Sequence, residues 1–339
     1  MKLTDDLRER YSRMLALRDF NEDDMESVMG TTVAQVGAGG LGSPALRLMT
    51  ALGFGKILIV DRDVVELSNI QRQTVYNNDD IGEPKAEAAA RNLKRMNPVV
   101  ELEPVCASVT EENSEDLLAG ADIIVDGLDS FEARRAVNRA SLKLGIPYVF
   151  AGAVEYYANL STFIPGKTAC LQCVMGKAED NPENSCALIG VSPTLLSIVA
   201  SIEVEEALRL ATSREPALAN KLMTIDIQSL TFDTFDIGKD EHCSACSLEV
   251  EEERTPESEP RVTTLCSKSF SIALPSGSLD LDAIEQRVSK KHAVRRTPRS
   301  LRIKTEDWSM TLMKRGTAVV EGVTSPEHAL HLFKEVTGV

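Results

Sequence analysis

A glycine-rich turn constrains the fold of this chain more than any other feature. A run of β-favouring residues, 31–36, leads directly into the segment VGAGGLG, and a helical pattern follows and ends near Gly53. In such a strand–turn–helix unit the glycines allow a tight bend, and the helix N-terminus favours an anion. The motif therefore predicts a phosphate-binding turn. Its glycines are Gly37, Gly39, Gly40 and Gly42.

Strands then alternate with helices, which extends the turn into a nucleotide-binding domain. The β-favouring run 56–60 ends in Asp61, about twenty residues after the turn, where a carboxylate can hold a ribose hydroxyl. Later segments repeat the alternation up to a strand near residue 150. This order predicts an α/β fold, a Rossmann-like doubly wound and mostly parallel sheet whose ligands lie beyond the strand C-termini. Residues 3–30 are expected to be helical.

Two Cys-x-x-Cys pairs form the strongest local signal. Cys170 and Cys173 form the first pair, and Cys243 and Cys246 form the second. Two such turns are typical of a tetrahedral four-cysteine site that holds structural zinc, with no position left open for catalysis. The alternative is a set of buried free cysteines. The long separation between the pairs implies that a bound Zn²⁺ would connect distant segments.

Length and charge divide the chain into three parts. The 339 residues exceed the size of one ordinary domain, and an acidic, proline-containing stretch at 248–261 resembles a linker. We therefore predict a nucleotide-binding domain with the zinc knuckles at 1–247. A small α+β domain of about four strands and two helices is predicted at 262–339.

Composition limits the partners and the compartment. The net charge of −15 comes from the part before residue 261, which argues against nonspecific nucleic-acid binding. No apolar run reaches membrane-spanning length, the charged N-terminus does not resemble a signal peptide, and the cysteine pattern favours metal over disulfides. A cytoplasmic protein without membrane attachment is expected.

A polar loop after the second strand brings cations towards the predicted site. Ser68, Asn69 and Arg72 lie in this loop, and Lys85 begins the next helix. Arginine and lysine can neutralise a triphosphate, and Asp129, at the end of a buried strand, can hold Mg²⁺. Taken singly, such residues are most often solvated surface. A nicotinamide dehydrogenase remains an alternative for the glycine turn, but it needs no such cations.

The order of motifs resembles the MoeB/ThiF/HesA family, relatives of the ubiquitin-activating enzymes, over about residues 5–247. The family's motifs appear in sequence as RYSR at 10–13, VGAGGLGS, VDRDVVELSNIQRQ, DIGEPKA, MNP, DGLDSFEARRAVN, the two cysteine pairs and SCALIGVSP. The resemblance implies that ATP and Mg²⁺ adenylate the C-terminal glycine carboxylate of a small ubiquitin-like β-grasp protein that ends in Gly-Gly, with release of pyrophosphate. In this family the β-grasp substrate is a sulfur carrier or a modifier.

The resemblance also implies roles for individual residues. Asp129 would serve Mg²⁺ and the reacting centre, and Arg13 would reach the ATP of a partner subunit, which implies a homodimer. The residues expected to bind the nucleotide are Gly37, Gly39, Gly40, Gly42, Asp61, Asp63, Ser68, Asn69, Arg72, Lys85 and Asp129.

Three questions stay open at this level. In this family a cysteine at the position of Cys186 can take the activated carboxyl as a thioester, or form a persulfide that delivers sulfur. The alternative is that Cys186 is never used, since some members release the acyl-adenylate. The chain could instead be a catalytically silent scaffold that binds ATP and such partners, although a silent copy has no need of Arg13, Arg72, Lys85 and Asp129 together. The tail has no cysteine after Cys266 and so is not a rhodanese domain. It is expected to dock a partner or to serve in packing or dimerisation.

Overall fold

The chain contains two β-sheets, one in each predicted domain. The computed structural model describes residues 2–176, 178, 180, 189–247, 260–265, 269–274 and 278–338. Cys186, Cys266 and most of the predicted linker 248–261 lie outside the described residues.

The first sheet has eight strands in the order β3-β2-β1-β4-β5-β6-β7-β8. The strands from β3 to β5 in this order pair in parallel, and the pairs from β5 to β8 are antiparallel. The predicted α/β class with a mostly parallel sheet is confirmed. The strands are β1 Thr32–Val36, β2 Lys56–Asp61, β3 Glu101–Cys106, β4 Ile123–Asp126, β5 Tyr148–Val154, β6 Tyr157–Phe163, β7 Lys221–Asp226 and β8 Thr231–Asp236.

Helices cover both faces of the parallel half of this sheet. Alternate side chains of β1, β2 and β4 enter two separate apolar cores, as expected for strands buried on both sides. The helices are α1 Asp5–Arg10, α2 Ser12–Leu15, α3 Glu22–Gly30, α4 Gly42–Leu52, α5 Lys85–Met96, α6 Ser114–Leu118, α7 Phe131–Leu144, α8 Leu171–Met175, α9 Pro193–Ala211 and α10 Ser244–Ser247. One core contains residues of α4, α5 and α9, and the other contains residues of α6 and α7.

The helical segment predicted at 3–30 consists of three separate helices. Tyr11 ends α1, and a new helix α3 begins after Asn21, whose side chain accepts bonds from the Asp23 and Asp24 backbone amides. The Asp24 carboxylate accepts the Asn21 amide in return, which completes a capping box. This local cap explains why the helical pattern restarts instead of continuing.

The second sheet has six antiparallel strands in the order β11-β12-β13-β14-β10-β9. Two more strands are present than the sequence predicted, whereas both predicted helices are present. The two additional strands, β9 and β11, are short and partly exposed. The elements are β9 Arg261–Thr264, β10 Phe270–Ala273, α11 Leu281–Val288, β11 Ala293–Arg296, β12 Ser300–Lys304, β13 Ser309–Met313, β14 Thr317–Glu321 and α12 Pro326–Thr337.

The two faces of the second sheet have different neighbours. Its apolar face packs against α11 and α12 and forms a core of its own. On the other face, Met313 and Val319 are fully buried and belong to a core of the first domain. Five small polar residues on this sheet and beside it are at most 3% exposed, which shows that the sheet is closely covered by neighbouring elements. They are Ser269, Ser271, Ser300, Thr311 and Thr317.

Among the described residues, none of the helices combines the length and the apolar character that crossing a membrane requires.

Candidate active site

A cavity of about 410 Å³ lies beyond the C-terminal ends of the parallel strands. Its position matches the rule that open α/β sheets bind ligands at this edge. The cavity brings together ten of the residues that the sequence singled out. They are Gly37, Gly39, Gly40, Asp61, Asp63, Ser68, Asn69, Arg72, Lys85 and Asp129.

The backbone of the glycine turn can form only with glycine at two positions. Gly37 has φ +89°, and a Cβ there would lie 2.4 Å from the carbonyl oxygen of Gly127. A Cβ on Gly42 would lie 1.9 Å from the carbonyl oxygen of Gly37. Gly42 is not among the residues that line the cavity. It lets helix α4 begin directly against the turn, so its contribution to the site is close packing rather than contact with a ligand.

Side-chain hydrogen bonds fix the turn in place. The carboxylate of Asp61 accepts the backbone N–H groups of Ala38 and Asp63, both at 2.7 Å. The Tyr76 hydroxyl donates to the Ala38 carbonyl at 2.9 Å, and the Gln35 amide donates to the Gly37 carbonyl at 3.1 Å. Burial raises the pKa of Asp61 to about 6, against the lowering influence of Lys85. Asp61 is therefore ionised at neutral pH and organises the turn besides facing the cavity.

Lys85 supplies a buried positive charge at the start of α5. Its Nζ donates to Asp63 Oδ2 at 3.0 Å, and its side chain is only 7% exposed. Burial alone would lower the pKa of Lys85, but the carboxylates of Asp63 and Asp61 raise it above its ordinary value. Lys85 is therefore positively charged throughout the physiological pH range. Asp63 Oδ1 and Gln73 Oε1 are buried at the cavity and have no hydrogen-bond partner among the described residues.

The polar loop after β2 carries the other predicted phosphate ligands. A capping box between Glu66 and Asn69 fixes a short 3₁₀ turn, Leu67–Asn69, in which the Glu66 amide donates to Asn69 Oδ1 at 3.1 Å. The Arg72 guanidinium donates to the Ser68 carbonyl at 2.8 Å and lines the cavity. Glu66, which the sequence analysis did not select, therefore sets the geometry of the loop.

Asp129 lines the same cavity as these cations. It follows β4, is exposed, and lies beside Ser130 in the lining, which also includes Arg134. A carboxylate is the type of ligand that Mg²⁺ prefers in proteins. The residues present thus fit a magnesium–nucleotide complex, because a glycine turn, cationic groups and a carboxylate line one cavity.

Sequence reasoning missed a buried charge cluster beneath Asp129. The Arg134 guanidinium donates to Asp126 Oδ2 at 3.0 Å and to the carbonyls of Leu128 and Ala151 at 2.6 and 2.9 Å. The Tyr148 hydroxyl donates to the same Asp126 oxygen. Burial raises the pKa of Asp126, although Arg134 opposes this increase. The cluster ties the end of β4 to β5 and α7 and so fixes the backbone that carries Asp129.

Glu203 on α9 is a second carboxyl group near this cluster. It is fully buried, and neither carboxyl oxygen has a hydrogen-bond partner among the described residues. Burial, followed by the negative charge of Asp126, raises the pKa of Glu203 well above its ordinary value. Burial and the charge of Asp126 thus favour the neutral form of Glu203, whereas Arg134 forms its ion pair with Asp126.

Lys85→Met is expected to lower the free energy of unfolding at pH 7 by about 3 kcal/mol, because it removes the ion pair between the buried Lys85 and the half-buried Asp63 and takes the Lys85 charge away from the buried Asp61 carboxylate. Lys85 lowers the pKa of Asp63, so the stabilising contribution is present above the unfolded pKa and lost as the pH falls. The difference between the two proteins should therefore shrink towards pH 3 to 4. Urea denaturation at both pH values measures it.

Lys56→Met is the matched control for this substitution. Lys56 pairs with Glu101 and Glu103 at 3.1 and 2.7 Å, but its side chain is 33% exposed. An exposed pair of this type contributes roughly 0–1 kcal/mol. Equal losses for the two variants would contradict a special role of the buried Lys85 charge.

The four predicted zinc ligands meet although corresponding members of the two pairs are 73 positions apart in the chain. Their Sγ atoms all lie within 4.8 Å of one another. Measured S–S separations are 3.8 Å for Cys170–Cys173, 3.7 Å for Cys170–Cys243 and 3.5 Å for Cys173–Cys246. Thiolates at a Zn–S distance of ~2.3 Å occupy a tetrahedron whose edges are about 3.8 Å. The cluster can therefore hold a metal ion, and these separations are too long for disulfides.

Arg13 lies apart from the cavity within its own chain. It is exposed on α2, and no hydrogen bond or ion pair connects it to any described residue. The adjacent Tyr11 is buried, and its hydroxyl accepts a hydrogen bond from Asn97 Nδ2 at 3.0 Å. Asn97 also donates to the Thr50 carbonyl at 2.8 Å. These bonds hold the segment that presents Arg13 against the first domain.

Comparison with known proteins provides independent evidence. A family profile described as the ThiF family matches residues 11–247. The chain is 36% identical to the SAMP-activating enzyme E1 of Haloferax volcanii over 239 residues, which covers 70% of this chain and 88% of that protein. It is 30% identical to the sulfur carrier protein ThiS adenylyltransferase of Bacillus subtilis, covering 97% of this chain and 99% of that protein.

Among solved structures, the E. coli protein MccB with AMPCPP and MccA has a similar fold. Its TM-score is 0.64 at 22% identity, and the match covers 72% of this chain and 75% of MccB. At this level of identity the likeness concerns the fold alone.

Proposed function

The chain belongs to the ThiF family, and on that premise we propose that it is an ATP- and Mg²⁺-dependent adenylyltransferase. Its substrate is the C-terminal glycine carboxylate of a small ubiquitin-like β-grasp protein, a sulfur carrier or modifier that ends in Gly-Gly. The products are the carrier acyl-adenylate and pyrophosphate. The names of its relatives in Haloferax volcanii and Bacillus subtilis support this class of activity.

One observation carries the proposal: a glycine turn, several cationic side chains and the Asp129 carboxylate line one cavity. The turn at Gly37–Gly40 can hold phosphates through backbone N–H groups. Lys85, Arg72 and Asp129 line the same cavity. A nicotinamide dehydrogenase has no need of this arrangement, since hydride transfer requires no cations around a triphosphate.

The chemistry follows from the charges. A carboxylate oxygen of the carrier forms a bond to the α-phosphorus, the bond from that phosphorus to the bridging oxygen breaks, and pyrophosphate leaves with the electron pair. The nucleophile is already ionised, so no general base is required. Both reactants are anionic, so Lys85 and Arg72 would offset their repulsion and stabilise the charge that develops on the leaving group.

Magnesium, when bound with the nucleotide, would neutralise phosphate charge and orient the phosphates. Asp129 would hold it. Asp63, whose Oδ1 accepts no hydrogen bond among the described residues and lies 3.8 Å from Arg62 Nε, offers a second carboxylate oxygen at the same cavity. The four-cysteine cluster would hold a structural Zn²⁺, since all of its positions are thiolates.

A homodimer would complete the site. Arg13 is exposed and does not line the cavity of its own chain, so we expect it to reach the ATP of a partner subunit. Cys186, the proposed acceptor of a later thioester or persulfide step, is not required for adenylation itself. The alternative is a catalytically silent scaffold that binds ATP and the same partners.

ATP–pyrophosphate exchange tests the proposal. Purified protein, Mg²⁺, ATP and labelled pyrophosphate are incubated with each small β-grasp protein of the same genome that ends in Gly-Gly. Exchange is expected with one carrier and should be retained in Cys186→Ala. The same carrier with a C-terminal amide has no carboxylate and should support none. Absence of exchange with every carrier would favour the silent scaffold.

A further inference from the structure

The second domain reaches the cavity of the first. Leu265, which follows β9, lines the nucleotide cavity and packs against the apolar core that contains α4 and α5. Among the described residues after 247, it is the one that lines the cavity. An apolar side chain in this position cannot assist phosphates, but it can contact the base, which is the apolar part of a nucleotide.

Hydrogen bonds place Leu265 beside the polar loop that follows β2. The Leu265 amide donates to the Ser269 carbonyl at 2.8 Å, and the Ser269 hydroxyl lies 3.5 Å from Glu66 Oε1. Glu66 belongs to the loop after β2, five residues after Asp61, and it lines the cavity as Asp61 does.

A fixed interface holds the second domain against this loop and against α5. The Thr297 hydroxyl donates to both Glu87 carboxylate oxygens, at 3.1 and 2.8 Å, and the Ser300 hydroxyl donates to one of them at 3.2 Å. Arg295 forms an ion pair with Glu83. Glu83 and Glu87 lie two residues before and two residues after Lys85. The second domain therefore binds the chain on both sides of the proposed phosphate ligand.

We propose that the C-terminal domain is part of the nucleotide site, with Leu265 as a wall of the pocket for the base. The proposal rests on the proposed function in taking ATP as the ligand. It assigns the tail a role in substrate binding, besides the docking or packing role expected from its sequence. Leu265 is a specificity-determining residue in this account and not a catalytic one.

Nucleotide affinity measured without carrier tests the proposal. Isothermal titration with the ATP analogue AMPCPP and Mg²⁺ gives the Kd of full-length wild type and Leu265→Ala. The loss of buried apolar contact with the base is expected to raise Kd about tenfold. Affinity for inorganic triphosphate, which has no base, should stay within about twofold, and Leu265→Met, which conserves volume, should bind AMPCPP nearly as wild type does.

Val262→Ala is the matched control. Val262 lies on β9 and packs in the core of the second domain, and it does not line the cavity. Its Kd for AMPCPP should stay within about twofold of wild type. Equal weakening in both alanine variants, or equal weakening for triphosphate, would show a merely structural effect and overturn the proposal.

Two further outcomes would also overturn it: an unchanged Kd with an increased KM for carrier, or a wild-type protein that binds no nucleotide. Failure of the proposed adenylation is separate, because it would appear as AMPCPP binding without carrier-dependent exchange.

Discussion

Asp129→Ala is expected to reduce carrier-dependent ATP–pyrophosphate exchange by at least about 100-fold. The substitution removes the carboxylate that we place beside the metal and the reacting phosphate, and loss of one group that stabilises a transition state typically costs a factor of about 10² to 10³. Asp129 is exposed, so the Tm should change little. Initial exchange rates at saturating ATP and carrier measure the effect.

Glu132→Ala is the control for Asp129→Ala. Glu132 lies three residues further along the chain, is exposed and pairs with Arg261, but it does not line the cavity. Its exchange rate should remain within about twofold of wild type. A full exchange rate in Asp129→Ala would remove this residue from the site, and an equal loss in both variants would point to a general effect of negative charge.

Removing the Zn²⁺ that we propose for the four-cysteine cluster is expected to have the largest effect on stability. Structural zinc in small domains binds with an apparent free energy of about 10–16 kcal/mol, and that energy stabilises the folded state. Cys173→Ser should abolish stoichiometric zinc and lower the Tm by more than about 10 °C. Elemental analysis and thermal unfolding, with and without a chelator, measure both quantities.

Cys106→Ala provides the comparison within the same chain. Cys106 is a buried cysteine at the end of β3, outside the cluster. The variant should retain one zinc per chain, and its Tm should respond to the chelator as that of wild type does. A wild-type protein that contains no metal and ignores the chelator would contradict the structural zinc.

The parts of the fold that local chemistry dictates were predictable. The glycine turn, the helix that starts at Lys85, and the paired cysteines each have a short-range signature, and the structure places them accordingly. The doubly wound, mostly parallel sheet could be inferred because alternating strands and helices have few ways to pack.

Contacts between distant segments were not predictable. Asp126 and Arg134 both lie in a segment that resembles the family motif, but their buried ion pair and its link to Tyr148 depend on how β4, β5 and α7 pack. Leu265 reaches the cavity from about 200 residues beyond Asp61, and no local pattern marks such a contact. Strands β9 and β11 are short and partly exposed, so apolar alternation is weak there.

The most direct test of adenylation follows the label of ATP onto the carrier. Protein, Mg²⁺ and the carrier that supports exchange are mixed with ATP labelled at either the α- or the γ-phosphate, and the carrier is then isolated under acidic conditions. Attack on the α-phosphorus predicts that the α label appears on the carrier, with a mass increase of one AMP, and that the γ label leaves in pyrophosphate. A carrier that gains the γ label, or no label at all, would contradict adenylation by this protein.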